Sequence, residues 1–291
     1  MARRKTVKVS PVTSGNTKPT IDLFYNNIEE LIERTKKACE LYPYKGEYWA
    51  RWSTEDINVW NKRCSLTQEE IYEKTLSGCT EYYNTLKHST EAIEVSGSNR
   101  MYTNDFEGLF IDVNSFLQGL PEIFINEVDV LETPKFINIE VNIGVAGAVS
   151  TKDIFKKLSK VFALVERLEL SNYRVRIIAS CYMTATGAKN NISLKVVLKD
   201  YQETMAFERL SMLLVSPVLL RFYVLGSTMI ENGENSGAGY SDYEKEITYI
   251  KTLDDNTIYI PSFYYDKRMS VGNSDNILLC YPHLEKFASN N

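Results

Sequence analysis

The chain has 291 residues, of which 24% are charged and 44% hydrophobic, and a formal net charge of −5. This length and balance fit a soluble globular protein with one large domain or two modest ones. The acidic excess argues against nucleic acid or anionic membranes as bulk electrostatic partners. No apolar run approaches the ~18 residues a membrane span requires. Five cysteines (Cys39, Cys64, Cys79, Cys181 and Cys280) are scattered, odd in number and without a C-x-x-C pair. They fit a reduced, cytoplasmic compartment.

Residues 1–20 carry Arg3, Arg4, Lys5, Lys8 and Lys18 with no apolar stretch behind them, so they read as a flexible basic tail rather than a signal peptide. Its basic residues offer a weak contact to nucleic acid or to a partner. Residues 21–97 read as a helical region. TIDLFYNNIEELIERTKKACELY places Leu23, Ile28, Leu31, Ile32, Cys39 and Leu41 near helical spacing. LTQEEIYEKTLSGCTEYYNTLKH opens with Thr67 and has Glu70 three residues later, which is a capping box. Between them stand Trp49, Trp52 and Trp60, either a stacking platform or aromatics that pin a helix connection to the core. A polar hinge follows at residues 89–105, centred on Gly97.

Residues 105–231 read as a central α/β domain. FINIEVNIG alternates, with Ile137, Ile139, Val141 and Ile143 on one face. The strongest helix follows, its stripe formed by Ile154, Leu158, Val161, Val165 and Leu168 and widened by Phe155 and Phe162. NYRVRIIASCYM and NISLKVVLKD are two further strands. A strand, a crossover helix and another strand imply a right-handed parallel pair. The third strand then pairs antiparallel to the second. ETMAFERLSMLLV is a helix ending before Ser216 and Pro217, and VLLRFYVLGSTM continues as helix or buried strand. Residues 244–291 read as a β-rich extension, with a hairpin turning at Asp254, Asp255 and Asn256.

The loop GVAGAVS, residues 144–150, lies where α/β proteins bind phosphates and metals. Gly144 and Gly147 stand too close for a phosphate-binding loop, and Ser150, Thr151 and Lys152 run in the wrong order. A dinucleotide fingerprint lacks its first glycine pair and its third position. Close strand-to-helix packing, with Ser150 as the helix cap, explains the small residues, and no cofactor is expected. The order of elements is similar to the opening of a von Willebrand factor A-like domain. In that family the loop carries D-x-S-x-S, whose oxygens hold a divalent cation. The matching positions are Asn142, Gly144 and Ala146, which implies a copy without its metal site.

A second resemblance covers about half the chain. Asp112-Val113, Gly119-Leu120-Pro121-Glu122, Leu168-Glu169 with Tyr173, and Pro217 with Arg221 together resemble an uncharacterised family of tailed-phage proteins. This resemblance implies a phage origin and brings no catalytic residues with it.

Other constellations point to surface roles. The two histidines, His88 and His283, stand in no recognisable catalytic or zinc setting. Acids are frequent between 105 and 140 (Asp105, Glu107, Asp112, Glu122, Glu127, Asp129, Glu132 and Glu140), and Glu122 is the most site-like of them. Glu140 sits mid-strand opposite the isoleucines, so it is either solvent-facing or ion-paired. Arg174 and Arg176 share a strand face and either bind an anion or pair with Glu140.

The expected fold is α/β, with a central Rossmann-like or von Willebrand factor A-like mixed sheet flanked by helices. A helical N-terminal region precedes it and a β-hairpin extension follows. The expected function is a phage-encoded, non-enzymatic binding protein with a protein partner, acting in the cytoplasm of the infected cell or on the virion. The candidate binding surface is Asn142, Ser150, Arg174 and Arg176, and no catalytic, cofactor-binding or metal residues are expected. One alternative is a nucleic-acid-binding protein or divergent metal-dependent nuclease using the basic tail, the segment with Trp49, Trp52 and Trp60, and the 105–140 acids. Another is an anti-defence protein that sequesters a host factor or nucleotide signal.

Overall fold

A computed structural model describes residues 8–9, 19–52, 66–89, 100–105, 110–121, 124–129, 134–145, 151–183, 190–204, 206–233, 249, 252–254 and 256–262. The strands of the main sheet are β1 (Lys8–Val9), β2 (Thr20–Tyr25), β6 (Lys135–Asn142), β7 (Tyr173–Met183), β8 (Asn191–Lys199) and β9 (Thr257–Ile260). They lie in the order β1-β2-β8-β7-β6-β9. β3 (Arg100–Asp105), β4 (Phe110–Ile111) and β5 (Phe124–Asp129) form a small antiparallel sheet, and α5 (Val113–Leu117) follows β4. The helices α1 (Ile28–Leu41), α2 (Pro43–Trp52), α3 (Gln68–Ser77) and α4 (Thr80–Ser89) come early in the chain. α6 (Thr151–Leu170), α7 (Phe207–Val215), a π-helical turn (Leu219–Val224) and α8 (Leu225–Asn232) come later. The protein is thus a mixed α/β structure with a mixed sheet flanked by helices.

The central pattern follows from alternation. Ile137, Ile139 and Val141 of β6 pair in parallel with Val175, Ile177 and Ala179 of β7. On β8, in antiparallel register, Val196 continues the row of Val141 and Ala179, while Leu194 and Ile192 stand opposite Cys181 and Met183 further along β7. The long helix α6 carries the chain from the end of β6 to the start of β7, and its Ile154, Leu158, Val161 and Val165 are buried in the core. Asn172 turns the chain from α6 into β7 with φ of 61°, a left-handed conformation asparagine tolerates better than most residues. Thr67 caps α3 as expected: its hydroxyl accepts from the Glu70 N–H while the Glu70 carboxylate accepts from the Thr67 N–H.

Three expectations need correction. The segment read as one helix from Thr20 begins as strand β2, which pairs in parallel with β8. Ile21, Leu23 and Tyr25 follow a period of two, which one face of a strand satisfies and one face of a helix does not, and Leu23 and Tyr25 are buried beside Leu194 and Val196. The Asn27 side chain accepts from the Glu30 N–H and starts the helix only at Ile28. The residues 100–105, assigned to a polar hinge, form β3.

The β-hairpin in the C-terminal extension is also absent among the described residues. Tyr249, before the turn, has helical backbone, and β9 pairs in parallel with β6 instead. Asp254 organises that entry, accepting from the Thr257 hydroxyl and the Asn256 N–H. Ile258 and Ile260 then join the core rows of Ile139 and Val141. Residues 263–291, including the segment read as a last strand, lie outside the described residues. The same holds for all of the basic tail apart from Pro19, Thr20 and Lys8–Val9, which pairs with β2.

The helices collect on the apolar face of the sheet. α1 lies against β8 and α6 against β7, while α2, α3 and α4 pack on the π-helical turn, α7 and α6. α1 and α8 approach closely at Gly226, where a Cβ would come within 2.9 Å of the Thr35 methyl. Tyr223 donates to the Thr75 hydroxyl at 2.8 Å, and Thr75 donates to the Ile71 carbonyl at 2.7 Å, which locks α3 to the π-helical turn. Among the described residues no single helix is long and apolar enough to cross a membrane.

Candidate functional site

The opposite face of the main sheet is polar. The register that puts isoleucines and valines on the helix side puts Asn138, Glu140 and Asn142 of β6 on the other. Arg176, Ser180 and Tyr182 of β7 join them, with Ser193 and Lys195 of β8, Thr20 and Asp22 of β2, and Thr257 and Tyr259 of β9. A pocket of about 170 Å³ opens on this face, lined by Asp22, Glu140, Asn142, Ser180, Lys195 and Tyr249 among others.

Its centre is a three-part polar cluster. Lys195 stands beside Ser180 on the neighbouring strand, and its long side chain crosses β7 to reach Glu140 on β6. The Lys195 ammonium donates to Glu140 Oε2 at 2.9 Å and also to the Tyr249 hydroxyl. Tyr249 donates in turn to the same Glu140 Oε2 at 2.6 Å. The ammonium also lies 4.3 Å from the centre of the Tyr249 ring, a cation–π distance. Burial, reinforced by the negative charge of Glu140 and the bond to it, holds the Tyr249 phenol far above its ordinary range. Glu140 Oε1 and Ser180 Oγ are buried without a hydrogen-bond partner among the described residues.

The four residues expected at a binding surface separate. Asn142 lines the pocket, but its amide is engaged: Nδ2 donates to the Tyr259 hydroxyl at 2.9 Å, and Oδ1 accepts from the Gly144 N–H at 2.9 Å. Ser150 lies outside the described residues. Arg174 is exposed near the start of β7. Arg176 pairs with Asp200 rather than Glu140, its Nε donating at 2.8 Å while its guanidinium stacks 4.3 Å from the Tyr201 ring centre. The pairing with Glu140 fails on register, because Arg176 stands opposite Asn138 and Lys195 has already claimed the acid. Glu140 is therefore ion-paired and buried rather than solvent-facing.

Where the described part of the loop after β6 meets α6, the space is small. Asn142, Val145, Ile154, Leu158 and Ser216 surround a cavity of about 10 Å³, room for roughly one water. Lys157 of α6 donates to the Pro261 carbonyl beyond β9 and ties the helix to the sheet there. Glu122, His283, Trp60, and the side chains of His88, Trp49 and Trp52 lie outside the described residues.

Sequence reasoning missed Lys195, Tyr249, Ser180 and Asp22. The signal for three of them was present, since polar residues recur at alternate positions of β2, β7 and β8, interrupted only by Phe24, Ile178 and Val197. Tyr249 carried none, because it reaches Glu140 from 109 positions away.

The chain matches the model of one family, described as a domain of unknown function (DUF7192), over residues 10–287. It belongs to that family. No curated protein and no solved structure matches it. The family match takes in both faces of the main sheet, the small sheet and the polar pocket.

Proposed function

We propose that the protein is a non-enzymatic binding module that engages a protein partner. The observation that carries this reading is the pairing of Glu140, Lys195 and Tyr249 with one another at the centre of the pocket. Glu140 Oε2 already accepts from both Lys195 and Tyr249, so its lone pairs are held by the protein rather than offered to a substrate proton. A phenol pushed far up by burial and a neighbouring acid is a weak acid at neutral pH. Groups paired in this way hold a ligand more readily than they move its protons. A protein contact is supported by Ile111, Val113, Phe116, Leu117 and Leu120, apolar side chains exposed together on and around α5.

Two finer readings accompany the proposal. The run β6–α6–β7 with β8 reversed beside it supports a von Willebrand factor A-like domain. The engaged Asn142 amide, together with Gly144 and Ala146, supports loss of that family's cation site. The resemblance of the short motifs to tailed-phage proteins supports a phage-encoded role in the cytoplasm of the infected cell or on the virion. The test is to incubate the full chain with nucleotides and nucleic acid in the presence of Mg²⁺ or Mn²⁺. No turnover is expected. Turnover that disappears in Glu140→Gln would overturn the reading. In lysate of the host cell, wild type should retain a partner that a Phe116→Asp, Leu117→Asp chain loses.

A further inference from the structure

The pocket on the polar face contains an unmet demand for hydrogen-bond donors. Glu140 is 2% exposed and Ser180 7% exposed, so water does not readily solvate either side chain. Their Oε1 and Oγ nevertheless have no partner among the described residues. Buried polar atoms are normally paired, and an unpaired carboxylate oxygen is among the costliest to leave open. Both residues line one pocket of about 170 Å³, large enough for a small organic group, and their unpaired atoms lie buried just behind its surface, within reach of a ligand once either side chain turns.

The charge of the lining narrows what that group is. Asp22 and Glu140 contribute two carboxylates and Lys195 one ammonium, which leaves an excess of one negative charge. Two of the three Lys195 N–H donors are held by Glu140 Oε2 and Tyr249, so an anionic ligand would gain one donor while meeting two carboxylates. A bare divalent cation would want several oxygens around it, with an ammonium bonded to the same carboxylate opposing it. A monovalent organic cation with several N–H donors needs fewer oxygens and meets a smaller repulsion from Lys195 than a divalent ion does. It supplies donors to Glu140 Oε1 and Ser180 Oγ, balances Asp22, and finds tyrosine rings at Tyr182, Tyr249 and Tyr259.

We propose that the pocket binds a small organic ammonium or guanidinium group, carried by a free amine or by a basic side chain of the protein partner. The inference rests on the binding-module reading and deepens it.

The full chain is to be tested by thermal shift and calorimetry against agmatine, putrescine, a capped arginine dipeptide, inorganic phosphate and glucose. A saturable rise in Tm with agmatine or putrescine supports a free amine. Tighter binding of the dipeptide supports a partner side chain. Asp22→Asn, at the partly exposed edge of the pocket, should leave the unliganded Tm unchanged and weaken binding about tenfold, the scale of one charge-assisted hydrogen bond. Ser180→Ala should also weaken binding without lowering Tm, because it removes a hydroxyl that has no partner. The proposal is overturned if no cation binds, if phosphate or glucose gives the larger shift, or if Asp22→Asn binds agmatine as tightly as wild type. A glucose response would sink the ligand class and leave the binding module standing. Chemical conversion of agmatine would sink the binding module and leave the ligand class standing.

Discussion

Replacing Glu140 by leucine should destabilise the protein by about 2–3 kcal/mol. The magnitude follows from what the acid leaves behind. Its side chain is 3% exposed and that of Lys195 28%, with 2.9 Å between ammonium and carboxylate. Breaking a fully buried ion pair from one side costs about 3–5 kcal/mol, because the surviving charge is stranded. Lys195 is partly open to solvent and regains some hydration, which lowers the figure. Tyr249 also loses its acceptor and adds back part of the loss. Glu140→Gln keeps an acceptor for Tyr249 and should cost less, about 1–2 kcal/mol. The double substitution Glu140→Leu, Lys195→Met removes both charges and should recover most of the loss of the single one. Urea unfolding followed by circular dichroism measures all four chains, with unchanged m-values expected. A Glu140→Leu midpoint equal to wild type, or a double variant no better than the single one, would refute the reasoning.

Three further outcomes are expected. Gly78→Ala should be strongly destabilising, about 2 kcal/mol or more in urea melts, since φ is 85° and a Cβ would meet Glu208 and Arg209 backbone at 2.8 Å. Burial pushes the Tyr25 phenol up to about 12, so an unfolded chain ionises this group first. The associated stability is full below pH 10 and falls by about 2–3 kcal/mol as the pH rises from 10 through 12, as alkaline unfolding curves of wild type and Tyr25→Phe will read out. Burial likewise pushes the Cys39 thiol up to about 11, so iodoacetamide at pH 8 should label it only after denaturant is added.

Much of the central fold was legible because β6, α6, β7 and β8 each carry a strong period. Their order then dictates one parallel and one antiparallel pairing, as found. The Thr67 and Glu70 box was equally legible, since it closes over three residues. Two assignments failed where a local pattern was ambiguous. Ile21, Leu23 and Tyr25 alternate as a strand does, but over so few residues and so close to the helical pattern from Ile28 that the alternation is overlooked, and its partner β8 lies some 170 positions away. TIYI fits a hairpin arm or a parallel strand, and the free place beside β6 decides. The pocket was hidden for a related reason. Glu140 was visible as a lone acid opposite isoleucines, but its partners come from β8 and from Tyr249, which long-range topology alone brings together. The arginines drew attention because two charges stand close in sequence, yet Arg176 is satisfied by nearby Asp200 and Tyr201.

The central claim is that the polar sheet face holds a ligand without transforming it. Equilibrium dialysis of the full chain against agmatine, with mass analysis of the amine recovered after denaturation, tests that claim most directly. The account expects agmatine to be retained in saturable amounts, lost in part from Asp22→Asn, and returned chemically unchanged. Agmatine distributed equally across the membrane, or returned altered, would contradict it.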